Sequence, residues 1–188
     1  MEYIIGQFFG ILMSICCFIG PLFKRKWMML VNTIAANIFV ILSLVFLKEI
    51  GSAVFLNLVA IIQSIVSLYH VQKESKVTLL EQIIFFVLYV GFGIFGMVTA
   101  PDFVWGISAK NALEILPIIG ALFLMISVFV RDEQKTRWFS LGNCLIWTLY
   151  YAFVGTTAIF GEIFGAITVI VALYAYRKGG APSRDIKR

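Results

Sequence analysis

The sequence predicts an all-α integral membrane protein of seven transmembrane helices, set out as two parallel three-helix repeats around a single linking helix, a 3+1+3 arrangement. Three observations carry that fold class. Hydrophobic residues make up 61% of the chain and charged ones 13%, against about half and a quarter in soluble domains, which is more oil than a water-soluble core can hide. Seven apolar stretches are each long enough for a hydrocarbon slab of about 30 Å, which takes roughly 20 helical residues. Thirteen of the fifteen Lys and Arg crowd onto alternate connections between them.

The expected spans are 3–23, 27–47, 50–69, 79–99, 112–130, 138–154 and 158–176. None alternates with period two, and each is far longer than the roughly ten residues of a barrel strand. The first span follows Glu2, where a secretion signal would carry basic residues, and no small-residue cleavage site follows it, so it is expected to remain in the protein. The second opens on a basic cluster and Trp27. The fourth carries Gly91, Gly93 and Gly96, spaced to let a neighbouring helix approach. The fifth begins near Glu114 and Pro117. A proline there frees a backbone carbonyl and makes a candidate hinge, or it is a first-turn proline that the helix tolerates.

Lys24, Arg25 and Lys26 follow the first span, Lys73 and Lys76 the third, and Arg131, Lys135 and Arg137 the fifth. Arg177, Lys178, Arg184, Lys187 and Arg188 follow the seventh, which leaves only Lys48 and Lys110 for the opposite side. The positive-inside rule then puts the N-terminus outside and the C-terminus in the cytoplasm. The net charge of +5 sits in short loops and a tail at the membrane surface. Anionic lipid is therefore the expected contact, and no nucleic acid is expected. Cys16, Cys17 and Cys144 lie in apolar spans without a pairing pattern and read as small packing residues. No metal or cofactor is expected.

Displacing the chain by 111 residues sets Trp27 on Trp138, Leu30 on Leu141 and Asn32 on Asn143. A displacement of 105 sets 52–69 on 157–174, with Ala53, Phe55, Ile62, Ile65, Val66, Leu68 and Tyr69 meeting identical residues. The organisation expected is a three-helix unit at 1–76, a linking helix and outer loop at 77–110, a second unit at 111–178 and a basic tail at 179–188. Parallel repeats of this kind are a transporter plan, with the solute site at their interface near mid-bilayer.

Asn57 and Glu162 are equivalent under the 105-residue displacement, each about 7 to 10 Å below the outer end of its span. A carboxylate near the bilayer centre costs roughly 2.5 to 3.5 kcal/mol on insertion scales, so Glu162 should face protein or water, or be protonated. Asn57, Ala60, Ser64 and Ser67 recur at helical spacing, and Glu162, Gly165, Val169 and Ala172 form their counterpart. Such stripes fit opposite walls of a pathway, although small residues serve helix packing equally well. Asn32 and Asn143 lie about five residues inside the cytoplasmic ends of their spans, where a bond to a neighbouring helix competes with a solute role. Trp147 offers a flat ring for a ring-shaped solute, and Tyr150 and Tyr151 read as interfacial anchors. Gln7 and Glu81, close to span ends, read as solvated. His70, the only histidine, falls in a loop region, and no serine–histidine constellation or metal-ligand set accompanies it, so an enzyme is not expected.

The string E-I-L-P-I-I-G from Glu114 to Gly120, with W-T-L-Y-Y-A-F-V-G-T-T-A-I-F-G-E-I-F-G from Trp147 to Gly165, resembles the YgjV family of bacterial inner-membrane proteins. That resemblance implies a multi-pass protein of the bacterial inner membrane and emphasises Glu114, Pro117 and Glu162. The three-one-three plan also resembles the SWEET and PQ-loop transporters of sugars, amino acids and other small solutes. Sugar carriers of that group place asparagine in the third and seventh helices, matched by Asn57 and replaced by Glu162, and no Pro-Gln dipeptide occurs here. The expected function is alternating-access transport of a small polar solute, with Glu162 as the candidate for proton linkage. The alternative is a non-transporting subunit that binds another membrane protein. The expected partners are the lipid bilayer and the solute, and the reading admits a homo-oligomer.

Overall fold

The computed structural model describes residues 1–20, 23, 26–100, 103, 109–129 and 133–179. The described residues form seven α-helices and no strand: α1 Glu2–Ile19, α2 Lys26–Phe46, α3 Ser52–Gln72, α4 Leu79–Thr99, α5 Ala109–Phe129, α6 Glu133–Val154 and α7 Ala158–Gly179. Helix is what apolar runs of this length must adopt in lipid, because each segment then satisfies its own N–H and C=O groups. Five of them, α1 to α5, are long and apolar enough to cross a bilayer, and α7 adds the shorter apolar run Ala158–Tyr174.

Several ends differ from those expected. α6 starts five residues before Trp138, since hydropathy registers only the apolar part of a helix and Glu, Gln, Lys and Arg extend it readily. α5 starts at Ala109, which moves Pro117 out of a first turn and into the helix interior. α1 stops at Ile19, short of 23, where Gly20 and then Pro21 follow in the sequence. Pro21, Lys24, Arg25, Arg131 and the tail from 180 onward lie outside the described residues.

The turns show why the chain reverses where it does. After α2, Lys48 takes a left-handed conformation with φ 63°, and the N–H of Glu49 bonds back to the Leu44 carbonyl at 2.9 Å. The Lys48 ammonium lies 2.9 Å from Glu2 at the start of α1, and that carboxylate holds its pKa above the ordinary lysine value. After α3, Glu74 has φ 53° and the Ser75 N–H reaches the His70 carbonyl at 3.0 Å. A residue with a Cβ in that region costs about 1 kcal/mol. Glu74→Gly should therefore raise the thermal unfolding midpoint in detergent, and an unchanged or lower midpoint would contradict this. After α6, the reversal falls on Gly155, at φ 72°.

α4 begins with a reciprocal cap. Thr78 Oγ1 accepts from the Glu81 N–H at 3.2 Å, and Glu81 Oε2 accepts from the Thr78 N–H at 2.6 Å, an arrangement that satisfies two otherwise orphaned donors. The other Glu81 oxygen meets His70 Nε2 at 2.8 Å. Glu81 is thus a cap and a tie between helices rather than a solvated end, and His70 belongs to the last turn of α3 rather than to a loop.

α1 packs on α2 and α7, α2 on α3, α3 on α5, α5 on α6, and α6 on α7, which closes six helices into a cycle. α4 lies across α3 and α5. α3 is the most enclosed strut, burying Ser52, Leu56, Asn57, Ala60, Gln63, Ser64 and Ser67 among others. The outward faces are apolar throughout, as with Ile62 and Ile65 on α3, Leu145 and Leu149 on α6, and Ile167 and Val171 on α7. An exterior of that kind suits hydrocarbon rather than water.

Packing differs between the two ends of this cycle. Toward the α2–α3 and α6–α7 turns, buried positions recur every three or four residues: Asn37, Val40, Ser43 and Leu44 on α2, and Trp147, Tyr150 and Tyr151 on α6. Toward the opposite ends of those helices, no residue is buried over 31–36 of α2 or over 135–146 of α6. Met29, on the side of α2 away from lipid-facing Ile38, is 41% exposed. The bundle is sealed at the turn end, while toward the other end α2 and α6 bury little beyond Leu30 and burial passes to Ser67 of α3, Met125 and Ser127 of α5 and Leu173 of α7.

Candidate functional site

Glu162 lies one turn into α7 and is 7% exposed. A helix carrying bulky Phe160, Ile163, Phe164 and Ile167 outward must turn the intervening Gly161, Glu162, Gly165 and Ala166 toward protein. Gly161 lets α1 approach so closely that an added Cβ would stand 2.7 Å from Ser14 Cα. The groups that interact electrostatically with the carboxylate are the thiols of Cys144 on α6 and Cys17 on α1 and the phenol of Tyr151 on α6. The two cysteines read as packing residues are therefore also its polar surroundings. A single carboxylate among thiols and a phenol can hold or release a proton, and the described residues include no group of three or more His, Cys, Asp and Glu placed to hold a metal.

Asn57 is buried, but its Nδ2 donates to the Ala53 carbonyl of its own helix at 2.7 Å. The neighbours of Glu162 come from α1 and α6. The pair that matches in sequence is thus not joined by a hydrogen bond among the described residues. Ser64 and Ser67 are buried on α3 as the stripe predicts. Asn32 serves packing, its Nδ2 donating to the Cys16 carbonyl of α1 at 2.9 Å, whereas the Asn143 side-chain oxygen is enclosed and has no hydrogen-bond partner among the described residues.

Trp147 is 5% exposed and packs against Tyr150 and Tyr151, with ring centroids 5.7 and 5.2 Å away. Both tyrosines are almost fully enclosed, so the expectation that they anchor the helix at the membrane surface is overturned. Their side of α6 faces Val40 and Leu44 of α2 and Ala53 and Val54 of α3, and together these residues plug the sealed end. Pro117 is fully buried inside α5, where its missing N–H leaves the Leu113 carbonyl without its usual helical bond.

Sequence reasoning passed over two sets of polar contacts. Gln63, 1% exposed, accepts from the Tyr89 hydroxyl of α4 at 2.6 Å. At the sealed end, Glu114 of α5 accepts from the Ser52 N–H at 2.7 Å, and its backbone carbonyl accepts from the Ser52 hydroxyl at 2.8 Å. Gln7 of α1 does the same for the start of α7: its Oε1 accepts from the Thr157 N–H at 2.7 Å, and its carbonyl accepts from the Thr157 hydroxyl at 2.7 Å. Gln7 also donates to the Gly155 carbonyl at 2.9 Å, so it is not a solvated end. Each side chain supplies acceptors to a helix start that its own segment leaves unsatisfied. The signal available in the sequence is that Ser52 and Thr157 coincide under the 105-residue displacement, and both are cap-forming residue types.

Seven helices with an apolar exterior and polar side chains turned inward define a multi-pass helical membrane protein. A shallow, open depression lined by Gln7, Tyr151 and Thr156, among others, lies beside the α6–α7 turn. The chain belongs to the Imp-YgjV family, described as bacterial inner membrane protein, whose family model matches residues 4–180. The protein is accordingly a bacterial inner-membrane protein. No curated protein and no solved structure matches it, and the resemblance to SWEET and PQ-loop carriers has no match behind it.

Proposed function

We propose that the protein transports a small polar solute, sugar-, amino-acid- or organic-ion-like, by alternating access between residues 1–76 and 111–178, with α4 as the link between the two units. In this reading it is a carrier rather than an enzyme, with its N-terminus outside and its C-terminus in the cytoplasm. The observation that carries the reading is the reciprocal pair of end contacts. Glu114 of the second unit holds Ser52 of the first, and Gln7 of the first holds Thr157 of the second. Two copies of one three-helix unit, meeting about an axis along the membrane normal, would make these contacts twice. Glu162, enclosed by three helices, is suited to proton linkage because its charge is costly there unless compensated.

Reconstitution into sealed vesicles with a panel of labelled sugars, amino acids and organic ions tests the proposal. Proton-driven accumulation of at least one of them is expected. Glu162→Gln should reduce that accumulation about tenfold or more while sparing exchange of solute across the membrane, as expected when a proton-linked group is fixed in its neutral form. If nothing in a broad panel moves, the proposal fails.

One observation favours a non-transporting subunit instead. Gly91 on α4 has open space where a Cβ would stand, which leaves room for a helix of another membrane protein. A stoichiometric partner retained in mild detergent would favour that role, and a homo-oligomer or lone chain would favour the carrier.

A further inference from the structure

We infer that Gln7 and Glu114 are matched latches that hold the sealed end of the bundle shut and release together when that end opens. The inference rests on the alternating-access reading. The two side chains correspond under a displacement of 107 residues and their targets, Ser52 and Thr157, under one of 105. Each latch has the same two parts: a side-chain oxygen taking a backbone N–H at a helix start, and a backbone carbonyl taking the hydroxyl of that same residue. Both bridge from one unit to the other, so neither can stay closed if the units separate at this end.

The contacts around the latches are close. An added Cβ on Gly51 would stand 2.6 Å from both Glu114 carboxylate oxygens. Ser52 is fully buried and Thr156 nearly so. Between the two latches, the Ser43 hydroxyl of α2 shares a hydrogen bond of 3.1 Å with Thr156, which joins the α2 side of one latch to the turn held by the other. The packed residues Leu44, Val54, Tyr150, Tyr151 and Ala158 fill the same level. Loosening either latch disturbs one continuous layer rather than a single helix end. An isolated helix cap would affect only its own first turn.

The molecule also supplies a control. Gln7 shows that an amide oxygen makes this contact as well as a carboxylate does, so the latch requires an acceptor of the right length rather than a charge.

Hydrogen–deuterium exchange of the full chain in lipid nanodiscs, read by mass spectrometry, tests the inference without a known solute. In the unaltered protein, segments 50–54 and 156–159 should exchange as one cooperative unit. Glu114→Ala should accelerate both segments by about tenfold, the upper scale of losing one net hydrogen bond, including 156–159, which Glu114 does not touch. Gln7→Ala should do the same in reverse, and Glu114→Gln should match the parent. Acceleration confined to 50–54 in Glu114→Ala, or uncorrelated exchange of the two segments in the parent, would overturn it. Should the alanine variants fail to fold, the parent and Glu114→Gln decide the matter. Coupled exchange without transport of any panel solute would leave the latch standing and remove the carrier. Transport without coupling would do the opposite.

Discussion

Gly96→Ala and Gly161→Ala should each destabilise the folded bundle by about 1 to 3 kcal/mol, the usual range for forcing an extra carbon into a filled contact. At Gly96 the added Cβ would stand 2.6 Å from Ser52 Cα, and at Gly161 it would stand 2.7 Å from Ser14 Cα. In both cases the obstacle is backbone, which cannot rotate aside, so α4 must lift from α3 or α1 from α7. Gly91→Ala should have the opposite sign. Nothing lies within 4 Å of its added Cβ, and alanine is the better helix former by about 1 kcal/mol. Unfolding by SDS titration in mixed micelles would measure all three, and equal destabilisation at Gly91 and Gly96 would refute the packing described here. Of the three α4 glycines that the sequence offers for close approach, Gly93 and Gly96 serve that role and Gly91 does not.

Trp147→Ala should cost roughly 2 to 3 kcal/mol. In water such truncations cost about 3 to 5 kcal/mol, the sum of a transfer term and a cavity term. In a bilayer the transfer term shrinks, since dissociated helices still lie in hydrocarbon, and lost packing remains. The void would open beside Tyr150, Tyr151 and the α2 residues of the plug, so tyrosine fluorescence and access of a small thiol reagent to Cys144 should both change. A Trp147→Phe variant should recover most of the stability. If Trp147→Ala unfolds at the same SDS fraction as the parent, the plug does not depend on the indole.

Helices were the most legible part of the chain, because apolar length and charge placement act through the bilayer and need no knowledge of contacts. Their ends were less so. Hydropathy missed the first turns of α6, whose Glu133, Gln134 and Lys135 are helical yet polar, and ran past the end of α1. The inward turn of Glu162 followed from the cost of exposing a charge to lipid. The failure at Tyr150 and Tyr151 has a plain cause: a tyrosine near a helix end suits an interfacial belt and a sealed bundle end equally, and only the position of α2 decides. Gln7 and Glu114 were hidden for a different reason. Their roles depend on which helix starts lie alongside, and a glutamine paired with a glutamate is no identity in a self-comparison.

The displacement that relates Gln7 to Glu114 also sets Gly10 on Pro117. One turn beyond each of Gln7 and Glu114 the helix departs from the ordinary: at Gly10 an added Cβ would stand 2.9 Å from the Ala158 backbone nitrogen, so the glycine seats α1 against the start of α7, and Pro117 deletes a hydrogen bond of α5 outright. The start of α7 is thus held along α1 by Gln7 and by bare backbone one turn further on, whereas α5 interrupts its own hydrogen-bond ladder at the matching place.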